Sequence, residues 1–168
     1  MNRTVMFDTS SLIDVAKGLL GDKGEIRNLF ERLEGLVSQD KIKVVYTHIQ
    51  IDEIKDEDER RTINEFFEEL KAELIPTRIA VVGFSRVDMC KSGGKSEHQL
   101  YEKLKTFRSK ENWIKDLIQT LTSFEINILV TNERGIRHAI RQIKTKSEQM
   151  NCEAFRLDEF QKLLETLN

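Results

Sequence analysis

Short apolar runs rich in β-branched residues alternate along most of this chain with segments of helical periodicity. The runs are 4–7, 43–46, 79–82, 127–130 and 154–157. Apolar residues recur every three or four positions in the segments 24–35, 62–74, 112–124 and 158–167, which predicts amphipathic helices. Short apolar strands that alternate with helices are typical of parallel sheets covered on both faces. The sequence therefore predicts an α/β fold, a three-layer α/β/α sandwich with a central parallel sheet of four or five strands.

Composition narrows the class of protein further. A length of 168 residues predicts a single domain over 1–168, and 39% hydrophobic with 33% charged residues excludes disordered and fibrous chains. Asp8 and Asp14 interrupt the apolar N-terminal stretch, so we expect no signal peptide, no membrane partner and a cytoplasmic location. Cys90 and Cys152 lack the spacing of a disulfide framework or a zinc site.

Acidic residues follow several of the predicted strands. Asp8 comes directly after the first strand, Glu53 lies one or two turns into the helix after the second, and Glu133 follows the fourth. Asp116 lies in the apolar helix that leads into the fourth strand. Ligands of parallel sheets bind beyond the carboxyl ends of the strands, near the point where strand order reverses. Four carboxylates are therefore expected to converge at one end of the sheet.

Each of these acids also has a purely structural explanation, and we give the two interpretations about equal weight. Asp8 is a suitable helix cap, as are Thr131 and Asn132, because their side-chain oxygens accept the free N–H groups of a first turn. Glu53 belongs to an acidic run and can be a solvated charge. Asp116 can pair with a nearby lysine.

Four carboxylates in one place repel each other unless cations neutralise them. Mg²⁺ and Mn²⁺ prefer oxygen ligands and need no histidine or cysteine, so either ion suits such a cluster. Ions bound in this way activate water and stabilise a leaving oxygen, which is the chemistry of phosphodiester hydrolysis. We therefore expect Asp8, Glu53, Asp116 and Glu133 to be both metal ligands and catalytic residues.

The sequence resembles a known family at these segments. The order DTSSLID, THIQIDEI, KDLIQTL and LVTNERG is similar to that of the PIN domain, the fold of VapC-type toxins and other metal-dependent ribonucleases. The resemblance runs from Val5 to about Leu157. It implies a single PIN-like nuclease domain, a Mg²⁺- or Mn²⁺-dependent endoribonuclease that leaves 5′-phosphate and 3′-hydroxyl ends.

The resemblance also implies roles for individual residues. Asp8, Glu53 and Asp116 match the first three acids of the family, and Thr131-Asn132-Glu133 matches its T-x-D. Glutamate is one methylene longer than aspartate, which leaves open whether Glu133 ligates metal directly. The remaining matches are hydroxyl positions that hold ligand carboxylates or bound water and polar residues that line the site: Ser10, Thr131, Gln50 and Asn132.

Charge is segregated along the chain although the net charge is only -2. The segment 52–73 has ten acidic and four basic residues, whereas 134–146 has five basic residues and no acidic one. Arg134, Arg137 and Arg141, with His138 among them, fall on the helix expected to begin beside Glu133. They are predicted to bind the phosphates of single-stranded or structured RNA. An exposed helix face, or a patch for an acidic partner, explains the same residues equally well.

Other functions remain open from the sequence. An RNase toxin would have an antitoxin protein as partner and can form a homodimer. A catalytically inactive scaffold on the same fold would bind RNA or protein and leave it uncut. A phosphatase with Asp8 as nucleophile is disfavoured because Ser10 stands where a second acid is needed. The segment KSGGKS lacks the first glycine of a phosphate-binding loop.

Overall fold

The computed structural model describes residues 2–20, 24–79, 81, 86, 88–92, 94–95, 98–99, 101–102, 122, 125–144 and 151–167. The strands are β1 Arg3–Phe7, β2 Ile42–Tyr46, β3 Glu73–Leu74, β4 Ile128–Val130 and β5 Glu153–Phe155. The helices described from end to end are α1 Thr9–Leu20, α2 Glu25–Ser38, α3 His48–Glu53, α4 Glu57–Glu69, α5 Arg134–Lys144 and α6 Leu157–Thr166.

All five strands form one parallel sheet with the order β3-β2-β1-β4-β5. The chain moves outward from β1 to β2 and β3, and then returns to the other side of β1 for β4 and β5. Strand order therefore reverses between β1 and β4, where Phe7 pairs with Val130. The predicted α/β fold with a parallel sheet of four or five strands is confirmed.

Alternate strand residues enter two separate cores, because successive side chains of a strand point to opposite faces. Val5 and Phe7 pack into the core shared with α1, α2, α4 and α6. Met6 packs into the other core, which includes Ile136 and Ile140 of α5. Helices thus cover both faces of the sheet, and the predicted three-layer sandwich is confirmed.

Aromatic side chains fill the centre of the larger core. Phe7 of β1 meets Phe66 of α4 and Phe160 of α6 edge to face, with ring centroids 6.1 and 5.6 Å apart. All three rings are fully buried. Two helices therefore hold the last residue of β1, and this fixes the position from which the chain leaves the sheet.

The third strand differs from the prediction. Apolar spacing predicts one helix over 62–74, but α4 begins at Glu57 and ends at Glu69, and Leu74 belongs to β3. The helix ends because Lys71 adopts a left-handed conformation, with φ of 48°. The predicted strand over 79–82 was wrong at its described residues, since neither Ile79 nor Val81 lies in a strand.

The other predicted elements fall within a few residues of the observed ones, except where the structure is not described. The predicted helix over 112–124 lies outside the described residues apart from Thr122. Among the helices that are described, none is both long and apolar enough to span a bilayer.

Two contacts set the packing of the helices against each other. A Cβ on Gly18 would lie 2.9 Å from the carbonyl oxygen of Ile26, so α1 and α2 approach as closely as they do because residue 18 is glycine. Arg32 of α2 donates to the last carbonyls of α6, those of Leu164 and Glu165, at 2.9 and 3.1 Å. The carbonyl of Leu164 also accepts from the N–H of Leu167 at 3.3 Å, so Arg32 adds a second donor at a helix end, where backbone acceptors are in excess.

Candidate functional site

Asp8 leaves the sheet at the carboxyl end of β1 and caps α1. Its Oδ1 accepts hydrogen bonds from the backbone N–H of Ser11 at 2.7 Å and from the Ser10 hydroxyl at 3.2 Å. The side chain satisfies a free N–H group of the first helical turn, which is the capping role the sequence allowed. Asp8 is 4% exposed, so its carboxylate is held in a nearly closed environment.

Thr131 brings the neighbouring strand to the same carboxylate. It directly follows β4, and its hydroxyl donates to Oδ2 of Asp8 while accepting from the backbone N–H of Glu133 at 3.0 Å. The backbones are joined as well, because the N–H of Asp8 donates to the carbonyl of Val130 at 2.9 Å. This contact lies where strand order reverses, the position at which parallel sheets bind their ligands.

Gln50 ties the end of β2 to the end of β1. Its Nε2 donates to the carbonyl of Phe7 at 2.8 Å, and its Oε1 accepts from the N–H of Thr47 at 2.8 Å and from the Thr47 hydroxyl at 2.5 Å. Gln50 and Thr47 are both fully buried. The amide therefore fixes the start of α3, and with it the helix that carries Glu53.

Glu53 is the last residue of α3 and is half-buried. Its Oε2 accepts a hydrogen bond from the hydroxyl of Thr9, the residue that follows Asp8. Two successive residues therefore connect these elements: the carboxylate of Asp8 binds Thr131, and the hydroxyl of the next residue, Thr9, binds the carboxylate of Glu53. The structure brings these two acids to the same end of the sheet.

The remaining predicted site residues are placed differently. Glu133 is exposed, and within the described residues its carboxylate makes no hydrogen bond or ion pair. Asn132 is exposed and its Oδ1 accepts from the N–H of Leu157 at 3.4 Å, at the start of α6. Asp116 lies outside the described residues. In the part of the chain that is described, no three His, Cys, Asp or Glu side chains lie close enough to hold a metal ion.

The basic residues of the last long segment do lie on a helix, α5, which begins directly after Glu133. Arg134, His138 and Arg141 are exposed and spaced four and three apart, so they share one face. Arg137 is half-buried, and its guanidinium donates to the carbonyl of Thr131 at 2.8 Å. The four residues are therefore not equivalent.

Sequence reasoning missed two contributors to this site. Thr9, which binds Glu53, was not among the predicted site residues, although its position directly after Asp8 in a run of three hydroxyl residues was a usable signal. The contact between Arg137 and the carbonyl of Thr131 had no signal, because it depends on the conformation of the turn between β4 and α5. His48, the first residue of α3, is buried, and its Nε2 accepts from the N–H of Arg86 at 3.4 Å.

A shallow groove of about 450 Å³ runs along the outer surface of α4. It contains none of the predicted site residues. Its walls are charged and polar side chains of that single helix: Glu57, Arg60, Arg61, Asn64, Glu65 and Glu68. All six side chains are exposed, so this surface presents no buried polar group to a ligand, and we assign the candidate site to the carboxyl ends of the strands instead.

Comparison with family models, with curated proteins and with solved structures finds no match for this chain. The resemblance to the PIN domain therefore stays a prediction made from the order and types of residues. What the structure adds is an all-parallel sheet with Asp8, Thr131 and Glu53 at its carboxyl end.

Proposed function

We propose that this chain is a metal-dependent endoribonuclease of the PIN type, which hydrolyses RNA phosphodiester bonds with Mg²⁺ or Mn²⁺. One observation carries the proposal. Asp8 follows β1, and its carboxylate is bound by Thr131, the residue that follows β4, at the point where strand order reverses. Glu53 is bound by Thr9, the residue after Asp8. Carboxylates held rigidly at that point suit cation-assisted chemistry better than a role in stability alone.

The carboxylate oxygens at this site are ligand atoms of the type that a hard divalent cation binds. A carboxylate offers about four lone-pair sites, and at Asp8 three of them accept from Ser10, Ser11 and Thr131. With respect to the part of the chain that the structure describes, one site on Oδ2 remains, which is enough for a single metal contact. Oxygen ligands are also what Mg²⁺ and Mn²⁺ prefer. Asp116, predicted as the third ligand, lies outside the described residues and remains part of the proposal.

Residues of the chain have defined tasks in this proposal. A bound divalent ion would supply a water of lowered pKa and positive charge for the reacting phosphate. Asp8 and Glu53 supply the negative charge that holds such an ion. The hydroxyls of Thr131 and Thr9 fix the rotamers of these acids, and Gln50 fixes the helix on which Glu53 lies. Arg134 and Arg141, exposed on α5, would hold the phosphates that flank the scissile bond.

The test is cleavage of a mixed pool of fluorescent single-stranded RNA and DNA oligonucleotides with Mn²⁺, Mg²⁺ or EDTA. We expect metal-dependent cleavage of RNA that falls at least about 100-fold in Asp8→Asn and in Asp116→Asn, which corresponds to about 2.7 kcal/mol of transition-state stabilisation. Asp58→Asn is the matched control, because Asp58 is an exposed aspartate of α4 that pairs with Arg61 at 2.8 Å. Cleavage that survives in EDTA, or in both site variants, would refute the proposal.

The second candidate is an inactive scaffold, and the exposed basic residues of α5 favour it as much as they favour a nuclease. Within the described residues, Arg134, His138 and Arg141 have no carboxylate partner, so they are available to RNA or to an acidic protein, including an antitoxin. Calorimetry with Mn²⁺ separates the two candidates if no substrate is cut. Binding that is lost in Asp8→Asn supports a nuclease of narrow specificity, and no binding supports the scaffold.

A further inference from the structure

Thr131 is the residue on which the geometry of Asp8 depends most. It is fully buried, and every polar atom it has is used. Its N–H donates to the carbonyl of Phe155 at 2.8 Å, and its hydroxyl binds both Asp8 and the N–H of Glu133. Its carbonyl accepts from the guanidinium of Arg137 at 2.8 Å. Three of these contacts come from strands or the adjoining turn, and the fourth comes from a side chain of α5.

The contact from Arg137 supplies a donor to the carbonyl of Thr131, to which no backbone N–H of the helix donates. Thr131 lies three residues before α5 begins, so its carbonyl is not an acceptor in the helical ladder. A buried carbonyl without a donor is costly, which is why such groups are almost always paired. Arg137 reaches back from the first turn of the helix to supply the donor. Its guanidinium thereby links α5 to the turn that carries the Thr131 hydroxyl.

The other basic residues of α5 make different contacts. The side chains of Arg134, His138 and Arg141 are exposed and, within the described residues, make no hydrogen bond or ion pair. Lys144 pairs with Glu153 at 2.9 Å. Arg137 alone in this set is half-buried and bound to the backbone of the site. The helical spacing of three and four residues between Arg134, Arg137 and Arg141 therefore does not reveal that their side chains have two different roles.

We propose that Arg137 is a positioning residue, which holds the β4–α5 turn so that the Thr131 hydroxyl meets Asp8, and that phosphate contact falls to Arg134 and Arg141. The statement about phosphate contact rests on the proposed function. The statement about position does not, because it concerns hydrogen bonds within the protein.

The experiment compares Arg137→Met and Arg141→Met, which remove the same charge and all donors while keeping a flexible apolar stem. The first measurement is NMR hydrogen exchange of the Glu133 and Thr131 amides in the intact chain. We expect exchange at Glu133 to quicken at least about tenfold in Arg137→Met, because its acceptor, the Thr131 hydroxyl, loses its fixed position. Exchange should be unchanged in Arg141→Met, and Arg137→Lys, which retains a charged donor, should restore part of the protection.

The second measurement is the salt dependence of binding to a fluorescent single-stranded RNA oligonucleotide in EDTA. Loss of one phosphate contact lowers the slope of log affinity against log salt by about 0.7 for single strands. We expect that change in Arg141→Met and none in Arg137→Met. In the cleavage assay Arg137→Met should lower kcat with little change in KM, and Arg141→Met should raise KM.

The outcomes separate the two proposals. Unchanged exchange at Glu133 in Arg137→Met would overturn the positioning role whether or not RNA is cut. A salt slope that falls equally in both variants would overturn the division of roles. If the chain binds and cuts no RNA, the proposed function fails, and hydrogen exchange alone still decides the role of Arg137.

Discussion

The two hydroxyl–carboxylate contacts of the site differ in what holds them. Thr131 and Asp8 directly follow adjacent central strands and are 0% and 4% exposed. Thr9 and Glu53 lie at the start of one helix and the end of another, and both are half-buried. The first contact is fixed by strand pairing, whereas the second depends on helix termini, which fray more easily. The Thr131–Asp8 contact should therefore contribute to the stability of the fold, whereas the Thr9–Glu53 contact should contribute mainly to function.

Gln50 links the two contacts, and its loss should have the largest effect on stability. Gln50→Ala removes the donor to the Phe7 carbonyl and the acceptor for the Thr47 N–H, which leaves two buried backbone groups unpaired. We expect a loss of about 2–4 kcal/mol in the free energy of unfolding, measured from urea midpoints. The exposed Gln39→Ala should stay within about 0.5 kcal/mol. Equal midpoints for the two variants would contradict this role.

Isosteric removal of each hydroxyl tests the comparison directly. Thr131→Val should cost about 1–3 kcal/mol, because it leaves the Glu133 N–H and a buried carboxylate oxygen without a partner. Thr9→Val should cost less than about 1 kcal/mol, since water can replace a half-exposed hydroxyl. Chemical denaturation of both variants gives the values. A larger loss in Thr9→Val would reverse our ranking of the two contacts.

Neutral isosteres of the acids should separate stability from activity. Asp8→Asn should destabilise the fold by about 1 kcal/mol, because asparagine keeps one acceptor oxygen and therefore loses the hydrogen bond from either Ser11 or Thr131. Glu53→Gln should change the free energy of unfolding by less than about 0.5 kcal/mol. Both variants should lose RNA cleavage. Thermal unfolding beside the cleavage assay measures the two effects, and an active Glu53→Gln would remove Glu53 from the site.

A small acid-dependent effect is expected at the exposed start of α6, at Asp158. The hydrogen bond from Arg156 lowers the pKa of the exposed Asp158 below its ordinary value of 3.8. A lowered folded-state pKa gives stability that is present above the ordinary value and lost as pH falls through the folded one. Urea unfolding should therefore distinguish Asp158→Asn from the parent at about pH 5 but no longer at about pH 2. A difference that persists in acid would indicate packing instead of charge.

The fold was largely predictable because alternation of strands and helices is a property of residue types. The end of α4 was not, since Leu74 continues the spacing of Leu70 and only the left-handed conformation of Lys71 ends the helix. Lysine is not a residue type that favours the left-handed conformation, so the sequence does not predict it at position 71.

The site was predictable in outline for a similar reason. Asp8 and Thr131 are found together because each directly follows a central strand, which the sequence shows. The different roles of Arg137 and Arg141 were not visible, because helical spacing gives the face of a residue but not the carbonyl its side chain reaches.

The outer strands of the sheet have a consequence for behaviour at high concentration. β3 is two residues long and β5 is three, and Glu73 of β3 forms an ion pair with Lys43 at 2.5 Å. An edge strand offers unpaired N–H and C=O groups to other molecules, and short, charged edges offer few of them. In this sheet a neighbouring chain would find room for only a brief ladder beside charged side chains. The same brevity that hid β3 from sequence analysis therefore discourages edge-to-edge aggregation.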